Sequence, residues 1–308
     1  MHAPKRKRIA AGLLAIGLTA SLAACGGNPL GGDDGDTSLG TITVGSQGFA
    51  ESDILAQLYG QALEANGFTV DYAPGIGSRE TFIPALQDGS IDLIPDYAGN
   101  LLYGADPEAT AASTADVMAA LPAALEPLDL VVSSAAQAQD ADSLVVTKEF
   151  AEANNLVTIA DLAPIASTIT LGANTEFEGR SYGRSGLESV YGVTGWTFKA
   201  IDDYGGPGTL SDLLSGAIQV ADIYSTTPSI KQNDLVVLQD PKHLIAAQNI
   251  VPLFNKKAYS VEAANIVDRV SNLLTTEELM SLNEISAGDS KPSPQQVASD
   301  WLKKMGLL

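Results

Sequence analysis

The stretch 41–100 alternates between short apolar runs and amphipathic segments, and this pattern predicts an α/β fold. β-Branched residues favour strands, while apolar residues recurring every three or four positions favour helices. Gly67 and Ser78 fit a helix end and a helix start. Strand, helix, strand, helix, strand predicts a parallel sheet. The predicted strands are residues 41–44, 68–72 and 91–94, and the predicted helices are residues 51–66 and 78–89.

Polar and aromatic residues follow each predicted strand of this stretch. In parallel sheets, ligands bind beyond the carboxyl ends of the strands. These ends fall at residues 45–47, 74–78 and 95–97, which are rich in Gly, Ser and Tyr. The sequence therefore predicts a small-molecule site at these three loops.

Three segments of this stretch resemble a known family. They read GSQGFAESDILAQLY, GIGSRE and GSIDLIPDYAGN. They are similar to the substrate-binding proteins of osmoprotectant ABC importers, which take up glycine betaine, choline, carnitine and related quaternary amines. The resemblance runs from residue 41 to the C-terminus. It implies a type II periplasmic-binding-protein fold: two α/β lobes, two interlobe crossings and a central ligand cleft.

The amino terminus has the features of a lipoprotein signal. A basic cluster at residues 5–8 precedes an apolar run at residues 9–20, which is too short to span a membrane. Residues 22–25 read LAAC and match the lipobox of bacterial lipoproteins. We therefore expect residues 1–24 to be a signal peptide and Cys25 to carry lipid. An ordinary signal peptide with an incidental cysteine is the alternative.

Cys25 is the single cysteine of the chain. An internal disulfide, a thiolate metal site and a cysteine nucleophile are therefore not expected. Residues 25–39 are rich in Gly and Asp and have no apolar periodicity, as in a flexible tether. Acyl chains at one end anchor a domain to a membrane rather than insert it. We expect an extracytoplasmic protein that is lipid-anchored to the cell membrane.

The chain is acidic, with a net charge of −20, and 45% of its residues are hydrophobic. Such a charge argues against binding to nucleic acid and against electrostatic docking on anionic lipid. It is compatible with attracting a cationic ligand, although solubility of an exported protein is an alternative cause. Residues 40–308 are enough for two lobes with separate cores.

The predicted domain organisation follows from two places where the chain crosses between lobes. Residues 40–140 and 241–308 are expected to form lobe 1, and residues 141–240 to form lobe 2. A single compact α/β enzyme domain is the alternative architecture.

The most specific match in the second half of the chain lies at residues 174–192. It has the order Glu-Phe, two residues, Arg, then Gly-Leu and Tyr-Gly. In the family this Arg pairs with the ligand carboxylate, and the resemblance implies that role for Arg180. A guanidinium group suits a carboxylate because two parallel hydrogen bonds form at once. A surface arginine paired with Glu176 or Glu178 is the alternative.

Residues 224–227 resemble a family run of Tyr, Ser or Thr, Thr and Asp in which the tyrosine forms part of an aromatic cage, with Thr227 in place of the Asp. The resemblance implies cage roles for Tyr224 and, from the other lobe, Tyr97. A quaternary ammonium group lacks N–H donors and is held by π faces and negative charge, at roughly 0.5–2 kcal/mol per ring. If the ligand is a betaine, we expect hydroxyls and amides near Ser46 and Ser78 to help hold its carboxylate.

Two cage positions depart from the family pattern. Asp142 stands where the family usually has a cage tyrosine, and Leu210 stands at a second cage position. Asp140 matches an acidic position of some members. Asp140 or Asp142 is expected to supply negative charge in place of the missing ring. The ligand is then a betaine or a different solute, such as carnitine, an ergothioneine-like compound or a polar amine.

The sequence gives little support for an enzyme. His243 is the one histidine outside the predicted signal peptide. Residues 75–80 lack the third glycine of a dinucleotide fingerprint and the lysine of a phosphate-binding loop, and no nucleophile-elbow pattern is present. We therefore expect neither catalysis, nor a cofactor, nor a metal site.

The sequence thus predicts the solute-binding component of an ABC importer for glycine betaine or a related quaternary amine. Its expected partners are the ligand, the ABC permease and the membrane, and it is expected to be a monomer that does not bind nucleic acid. A sensory lipoprotein of the same fold that transports nothing is the alternative function.

Overall fold

Two five-stranded β-sheets organise the chain in a computed structural model that describes residues 39–308. The predicted signal peptide, Cys25 and all of the predicted tether except Leu39 lie outside the described residues. In chain order the strands and helices are β1 (Thr41–Gly45), α1 (Ala50–Ala65), β2 (Thr69–Ala73), α2 (Arg79–Asp88), β3 (Leu93–Tyr97), α3 (Ala98–Ala105), α4 (Thr114–Leu125), β4 (Leu130–Val132), β5 (Leu144–Val146), α5 (Lys148–Asn154), β6 (Thr170–Ala173), α6 (Arg184–Tyr191), β7 (Thr197–Ala200), α7 (Pro207–Leu214), β8 (Val220–Asp222), α8 (Pro228–Gln232), β9 (Val236–Val237), β10 (Ile250–Asn255), α9 (Val261–Leu273), α10 (Thr276–Ala287) and α11 (Pro294–Lys304).

The first sheet has the strand order β2-β1-β3-β10-β4. Strand β1 runs parallel to β2 and β3, as the sequence predicts, whereas β10 is antiparallel to both β3 and β4. The sheet is therefore mixed, because β10 enters it from the opposite direction when the chain returns from the second lobe.

The second sheet has the order β7-β6-β8-β5-β9. Strand β6 is parallel to β7 and β8, and β5 is antiparallel to β8 and β9. All five strands come from the chain between the first sheet's β4 and β10. The fold is thus α/β and two-lobed, with two crossings. The crossing segments pair with each other through the antiparallel bridge between Gln139 and Asn249.

Pro252 lies in an interior strand, although a proline within a sheet usually marks an edge strand. Strand β10 lies between β3 and β4, and Pro252 is opposite Pro95. The Pro252 carbonyl accepts a hydrogen bond from the Ser133 N–H at 3.1 Å. Strand β4 ends at Val132, which pairs with Leu253. Pro252 therefore lies beyond the last paired residue of β4, and its missing N–H removes no hydrogen bond between β10 and β4.

Helix α1 is central to the core of the first lobe. Its apolar residues Ile54, Leu55, Leu58 and Leu63 are fully buried, and the helix packs against α9 and α11. Trp301 of α11 is buried in the same core and donates its indole N–H to Glu278 at 2.8 Å. The last helices of the chain thus complete the lobe that its first strands begin.

Helix α3 begins directly after β3 and is an element that the sequence pattern did not predict. Its residues Ala98, Leu101 and Leu102 are buried in a second core of the first lobe. The immediate change from strand to helix fixes the direction of Tyr97 and places Asn100 one turn further on. Both side chains lie at the border between the lobes. Within residues 39–308, no helix is both long and apolar enough to cross a membrane.

Candidate ligand-binding site

Residues from both lobes meet between the two sheets. Lobe 1 supplies the loop after β1, the start of α2 and the end of β3. Lobe 2 supplies the segment 174–182, the turn before α7 and the residues after β8. Side chains from all of these segments line neighbouring cavities at the lobe border. The sequence-predicted Ser78, Tyr97, Asp140, Asp142, Arg180 and Tyr224 are brought together there.

Phe49 lies at the centre of an aromatic cluster formed by Phe49, Tyr97, Tyr204 and Tyr224. Its ring centroid is 6.2 Å from Tyr97, 5.4 Å from Tyr204 and 5.4 Å from Tyr224. Phe49 and Tyr97 belong to lobe 1, whereas Tyr204 and Tyr224 belong to lobe 2. The predicted pair of tyrosines is therefore joined through a phenylalanine that the sequence reasoning did not single out.

Tyr204 is placed by an unusual turn. It has a φ of 56°, and Gly205 after it has a φ of 71°. A non-glycine residue in the left-handed region is uncommon and is held there by its surroundings. Here the Tyr204 N–H donates to the Asn174 side chain at 2.9 Å, and the Asp203 carboxylate accepts N–H bonds from the first turn of α7. The turn is thus fixed from both sides, and the ring reaches Phe49.

Leu210 does not take a ring's place in the cleft. It packs against an apolar cluster of lobe 2 that includes Leu213, Ile218 and Ile223. Tyr204 lies six positions earlier in the chain and supplies lobe 2 with an aromatic ring at the border.

Two buried carboxyl groups adjoin the aromatic cluster. Glu51 accepts hydrogen bonds from the Tyr97 hydroxyl at 2.7 Å, the Thr226 hydroxyl at 2.7 Å and the Asn283 amide at 2.5 Å. Asp140 accepts from the Thr226 N–H at 2.9 Å and the Ser225 hydroxyl at 3.2 Å. Burial and then the charge of Glu51 raise the pKa of Asp140, while the Thr226 N–H opposes the rise.

Arg180 forms an ion pair that crosses the lobe border. Its guanidinium lies 3.0 Å from the Glu80 carboxylate of lobe 1. Ser78 donates its hydroxyl to Glu80 at 2.6 Å. Burial acts to raise the pKa of Glu80, but the Ser78 hydroxyl, the backbone N–H and Arg180 together lower it. Arg180 is 17% exposed and lines the cavity, so its partner is Glu80 rather than Glu176 or Glu178.

A second arginine, Arg79, enters the cleft from lobe 1. It forms a two-pronged ion pair with Asp96, with one bond of 3.0 Å between Nε and Oδ2. Gln47 donates its side-chain amide to the same carboxylate at 3.2 Å. All three residues are buried. Asp96 binds the guanidinium group of Arg79 and balances its charge. Arg79 is therefore held in place at the edge of the cleft.

Asp142 and Asp222 form an acidic wall on the same side as Arg180. Asp142 accepts a hydrogen bond from the Asn100 side chain at 2.8 Å. Asp222 is the last residue of β8, is buried, and has Asp142 as a hydrogen-bonding neighbour. Burial and then Asp142 raise the pKa of Asp222 well above its usual range. Tyr182, also buried, faces both carboxyl groups.

Ser46 does not line the cavities at the lobe border. Its hydroxyl donates to Asp53 and accepts from the Gly75 N–H at 3.0 Å. Its side chain lines a separate cavity of about 270 Å³ with Tyr72 and Pro294. Ser46 thus ties the loop after β1 to the loop after β2.

The cleft contains three adjoining cavities. One of about 30 Å³ lies between Arg180, Tyr182 and Asp222, and a second of about 30 Å³ lies between Tyr97, Asp140 and Tyr224. A larger cavity of about 330 Å³ opens on the other side of Phe49. Contacts across the border hold the lobes close together around them. Among residues 39–308, no group of three or more His, Cys, Asp or Glu side chains is arranged to hold a metal ion.

Sequence reasoning did not assign several cleft residues to the site, among them Glu51 and five others. Arg79 lies inside GIGSRE and Phe49 inside GSQGFAESD, so both stood within segments already recognised as family-like. Asp222 ends β8, two residues before Tyr224, which the family resemblance assigned to the site. Tyr182 and Tyr204 lie in irregular segments without periodicity, and no local pattern identified them. These five are Phe49, Arg79, Tyr182, Tyr204 and Asp222.

Two α/β lobes with paired crossings and a cleft lined from both sides define a two-lobed solute-binding protein. Comparison with known families agrees. Residues 40–304 match OpuAC, the substrate binding domain of ABC-type glycine betaine transport system. The chain belongs to this family.

Individual proteins similar to this chain fall in the same class. A glycine-betaine-binding protein of Pseudomonas aeruginosa is 25% identical, with 87% of this chain and 89% of that protein covered. An ergothioneine transport permease and binding protein of Helicobacter pylori is also 25% identical, over 86% of this chain and 48% of that protein. A solved glycine betaine/carnitine/choline ABC transporter structure superposes with a TM-score of 0.69 at 23% identity, covering 86% of this chain and 99% of that one.

Proposed function

We propose that this protein is the solute-binding component of an ABC importer and that it binds a quaternary amine osmoprotectant. One observation carries the proposal: aromatic rings from both lobes meet beside the buried carboxyl groups of Glu51 and Asp140. A quaternary ammonium offers no N–H donor, so π faces and nearby negative charge are the groups that recognise it. The family match, with its glycine betaine transport description, supports the same ligand class.

The ammonium end of the ligand is assigned to the aromatic cluster. Tyr97 and Tyr224 present faces from opposite lobes, with Phe49 between them. Asp140 and Glu51 adjoin these rings and provide the acidic groups at this end of the cleft. Since rings of both lobes contact the ligand, binding favours the closed arrangement of the lobes.

The other end of the ligand is assigned to the cavity beside Arg180. For a betaine, Arg180 exchanges part of its contact with Glu80 for the ligand carboxylate. Ser78, at the start of α2, is close enough to Glu80 to join this exchange. Asp142 contributes charge where the cage lacks a ring, and Ser46 positions the loop that carries Phe49.

The same proposal assigns residues 40–140 and 241–308 to lobe 1 and residues 141–240 to lobe 2. Membership of the two sheets supports these bounds, because β1 to β4 and β10 form one sheet and β5 to β9 form the other. The antiparallel bridge between Gln139 and Asn249 is then the hinge, where both crossings pair.

The proposed cellular setting follows from the family and the amino terminus. The protein delivers its ligand to the permease of the importer and is not an enzyme. Lipid on Cys25 holds it at the outer face of the cell membrane after removal of residues 1–24, and residues 25–39 give it reach. It acts as a monomer and does not bind nucleic acid.

Equilibrium binding tests the proposed function. We expect isothermal titration of the purified protein to show saturable binding of at least one of glycine betaine, choline and carnitine, and weaker binding of proline. Ergothioneine belongs in the series because the Helicobacter pylori relative is named for it. If only a solute without a quaternary ammonium binds, the assignment of the aromatic cluster is wrong. If nothing in the series binds and deletion of the gene leaves uptake of these solutes unchanged, the proposed function is wrong.

A further inference from the structure

Asp222 presents a buried oxygen without a hydrogen-bond partner to the cleft. The residue is 5% exposed, and its Oδ1 contacts no donor within the described residues 39–308. It lines the cavity that also contains Arg180 and Tyr182. A buried acceptor without a donor is unfavourable, and folded proteins rarely leave one without a use. This oxygen is therefore a candidate contact for a ligand.

The groups around Asp222 determine what it can bind. Asp142 is its nearest carboxyl neighbour, Asp140 adds a further negative charge, and Tyr182 and Tyr224 face it from other segments of lobe 2. Asp142 and Asp222 are joined by a side-chain hydrogen bond. Because Oδ1 of Asp222 has no partner among the described residues, this bond engages the other carboxyl oxygen, and Oδ1 remains an acceptor.

An acceptor at this place distinguishes between quaternary amines. Glycine betaine carries a trimethylammonium group and a carboxylate, and neither is a hydrogen-bond donor. With such a ligand in the closed cleft, Oδ1 of Asp222 stays unpaired and also faces another oxygen-bearing group. A ligand hydroxyl, in contrast, donates to Oδ1. The two kinds of ligand therefore differ in their hydrogen bonding at one part of the cleft, which lies between the aromatic cluster and Arg180.

We propose that Asp222 selects ligands with a hydroxyl group, so that the preferred ligand is a hydroxylated quaternary amine rather than glycine betaine. This inference rests on the proposed function, because it assumes that the ammonium end lies in the aromatic cluster. It adds a specificity-determining residue and a narrower ligand class. Asp142 supports the role by engaging the other carboxyl oxygen of Asp222.

Matched ligand pairs test the role of Asp222. Carnitine and γ-butyrobetaine differ by one hydroxyl, and choline and its O-methyl ether differ by the same donor. We expect calorimetric titration of the unmodified protein to show about tenfold tighter binding of the hydroxylated member in at least one pair. Asp222→Leu, which keeps similar volume without an acceptor, should reduce this ratio to about one by weakening only the hydroxylated member. Asp289→Leu, at an exposed carboxylate, is the control.

Each outcome of these titrations is informative. Equal binding within both pairs by the unmodified protein overturns the inference and leaves the proposed function intact, even if Asp222→Leu does not fold. A ratio that persists in folded Asp222→Leu protein also overturns it, because the hydroxyl is then sensed elsewhere. If neither pair nor glycine betaine binds, both the inference and the proposed function fail.

Discussion

The ring centroid of Phe49 lies 5.4 Å from that of Tyr224, with the rings inclined at 63°. This contact joins the loop after the first strand of lobe 1 to the residues after β8 in lobe 2. Aromatic pairs in such edge-to-face arrangements stabilise by about 0.5–1.5 kcal/mol beyond area burial. The contact therefore favours the closed arrangement of the lobes, and in the proposed binding mode it forms the wall against which the ammonium group packs.

Tyr224 should act through its ring rather than its hydroxyl. We expect Tyr224→Ala to weaken binding of the quaternary amine by roughly 0.5–2 kcal/mol, the contribution of one π face. Tyr224→Phe keeps that face and should cost much less. Titration calorimetry of both variants against the same ligand measures the difference. Equal losses in the two variants would show that the hydroxyl is the contacting group.

Gly48 permits the close approach of Tyr204. A Cβ at position 48 would lie 2.8 Å from the Tyr204 ring, which is closer than carbon atoms pack. Gly48→Ala should therefore push the two lobes apart at this point and weaken ligand binding, while thermal stability of the free protein changes little because Gly48 is exposed. The measurement is ligand affinity alongside the melting temperature.

The Tyr204→Ala variant tests whether the effect of Gly48→Ala comes from the clash with the Tyr204 ring. Once the ring is removed, Gly48→Ala should have no further effect on affinity, so the two substitutions should be strongly non-additive. Additive losses would mean that Gly48 acts on the cleft by a route that does not involve Tyr204.

Substitutions of Arg180 and Glu80 should change the affinity for a carboxylate ligand in opposite directions. If a carboxylate ligand binds, Arg180→Ala should weaken it by about 1.5–3 kcal/mol, as expected for a hydrogen bond to a charged group. Glu80→Gln removes the competing carboxylate from Arg180 and should tighten the same ligand. Choline, which lacks a carboxylate, is the matched control and should respond weakly to both. A choline affinity that falls as much as that of the betaine would contradict this role of Arg180.

Asp222 should make the stability of the free protein pH-dependent. Burial, followed by Asp142, raises the pKa of Asp222 above its usual value of 3.8, with Asp140, Tyr182 and Tyr224 also facing it. The folded state therefore binds this proton more tightly than the unfolded state. The stability it contributes is complete below the unfolded pKa and is lost as pH rises through the folded pKa.

Asp222→Asn removes that titration. The free energy of unfolding of the variant, relative to the unmodified protein, should therefore increase as pH rises from about 4 to about 8. Denaturant unfolding at several pH values measures the difference, with Asp289→Asn as a baseline. A difference that stays constant with pH would contradict the raised pKa of Asp222.

Much of the fold could be predicted from the spacing of apolar residues and from the residues that begin and end helices. The alternation of strands and helices over residues 41–97 is confirmed, since Ser78 and Gly89 bound α2 and the apolar spacing of α1 is buried. The family resemblance is confirmed too. The interior position of β10 could not be read locally, because strand order depends on how the chain returns from the other lobe.

Site residues at strand ends could be predicted from the sequence, whereas site residues in irregular loops could not. Tyr97 and Tyr224 follow strands, and both are brought to the lobe border. Tyr204 depends on a left-handed turn held by Asn174, a contact between distant segments that no local pattern encodes. Arg79 pairs with Asp96 across 17 residues of chain, and only the folded sheet brings them together.

The central claim is that the cleft recognises a quaternary ammonium cation through rings and carboxyl groups. Choline and 3,3-dimethylbutan-1-ol have nearly the same shape, but the second has carbon in place of the charged nitrogen. Competition of each compound against the tightest-binding quaternary amine, followed by calorimetry, tests the claim most directly. The account predicts that choline displaces the ligand at concentrations at least tenfold lower than the neutral compound, given cation–π contributions from several rings. Equal displacement by the two compounds would contradict it, because the cleft would then be recognising shape rather than charge.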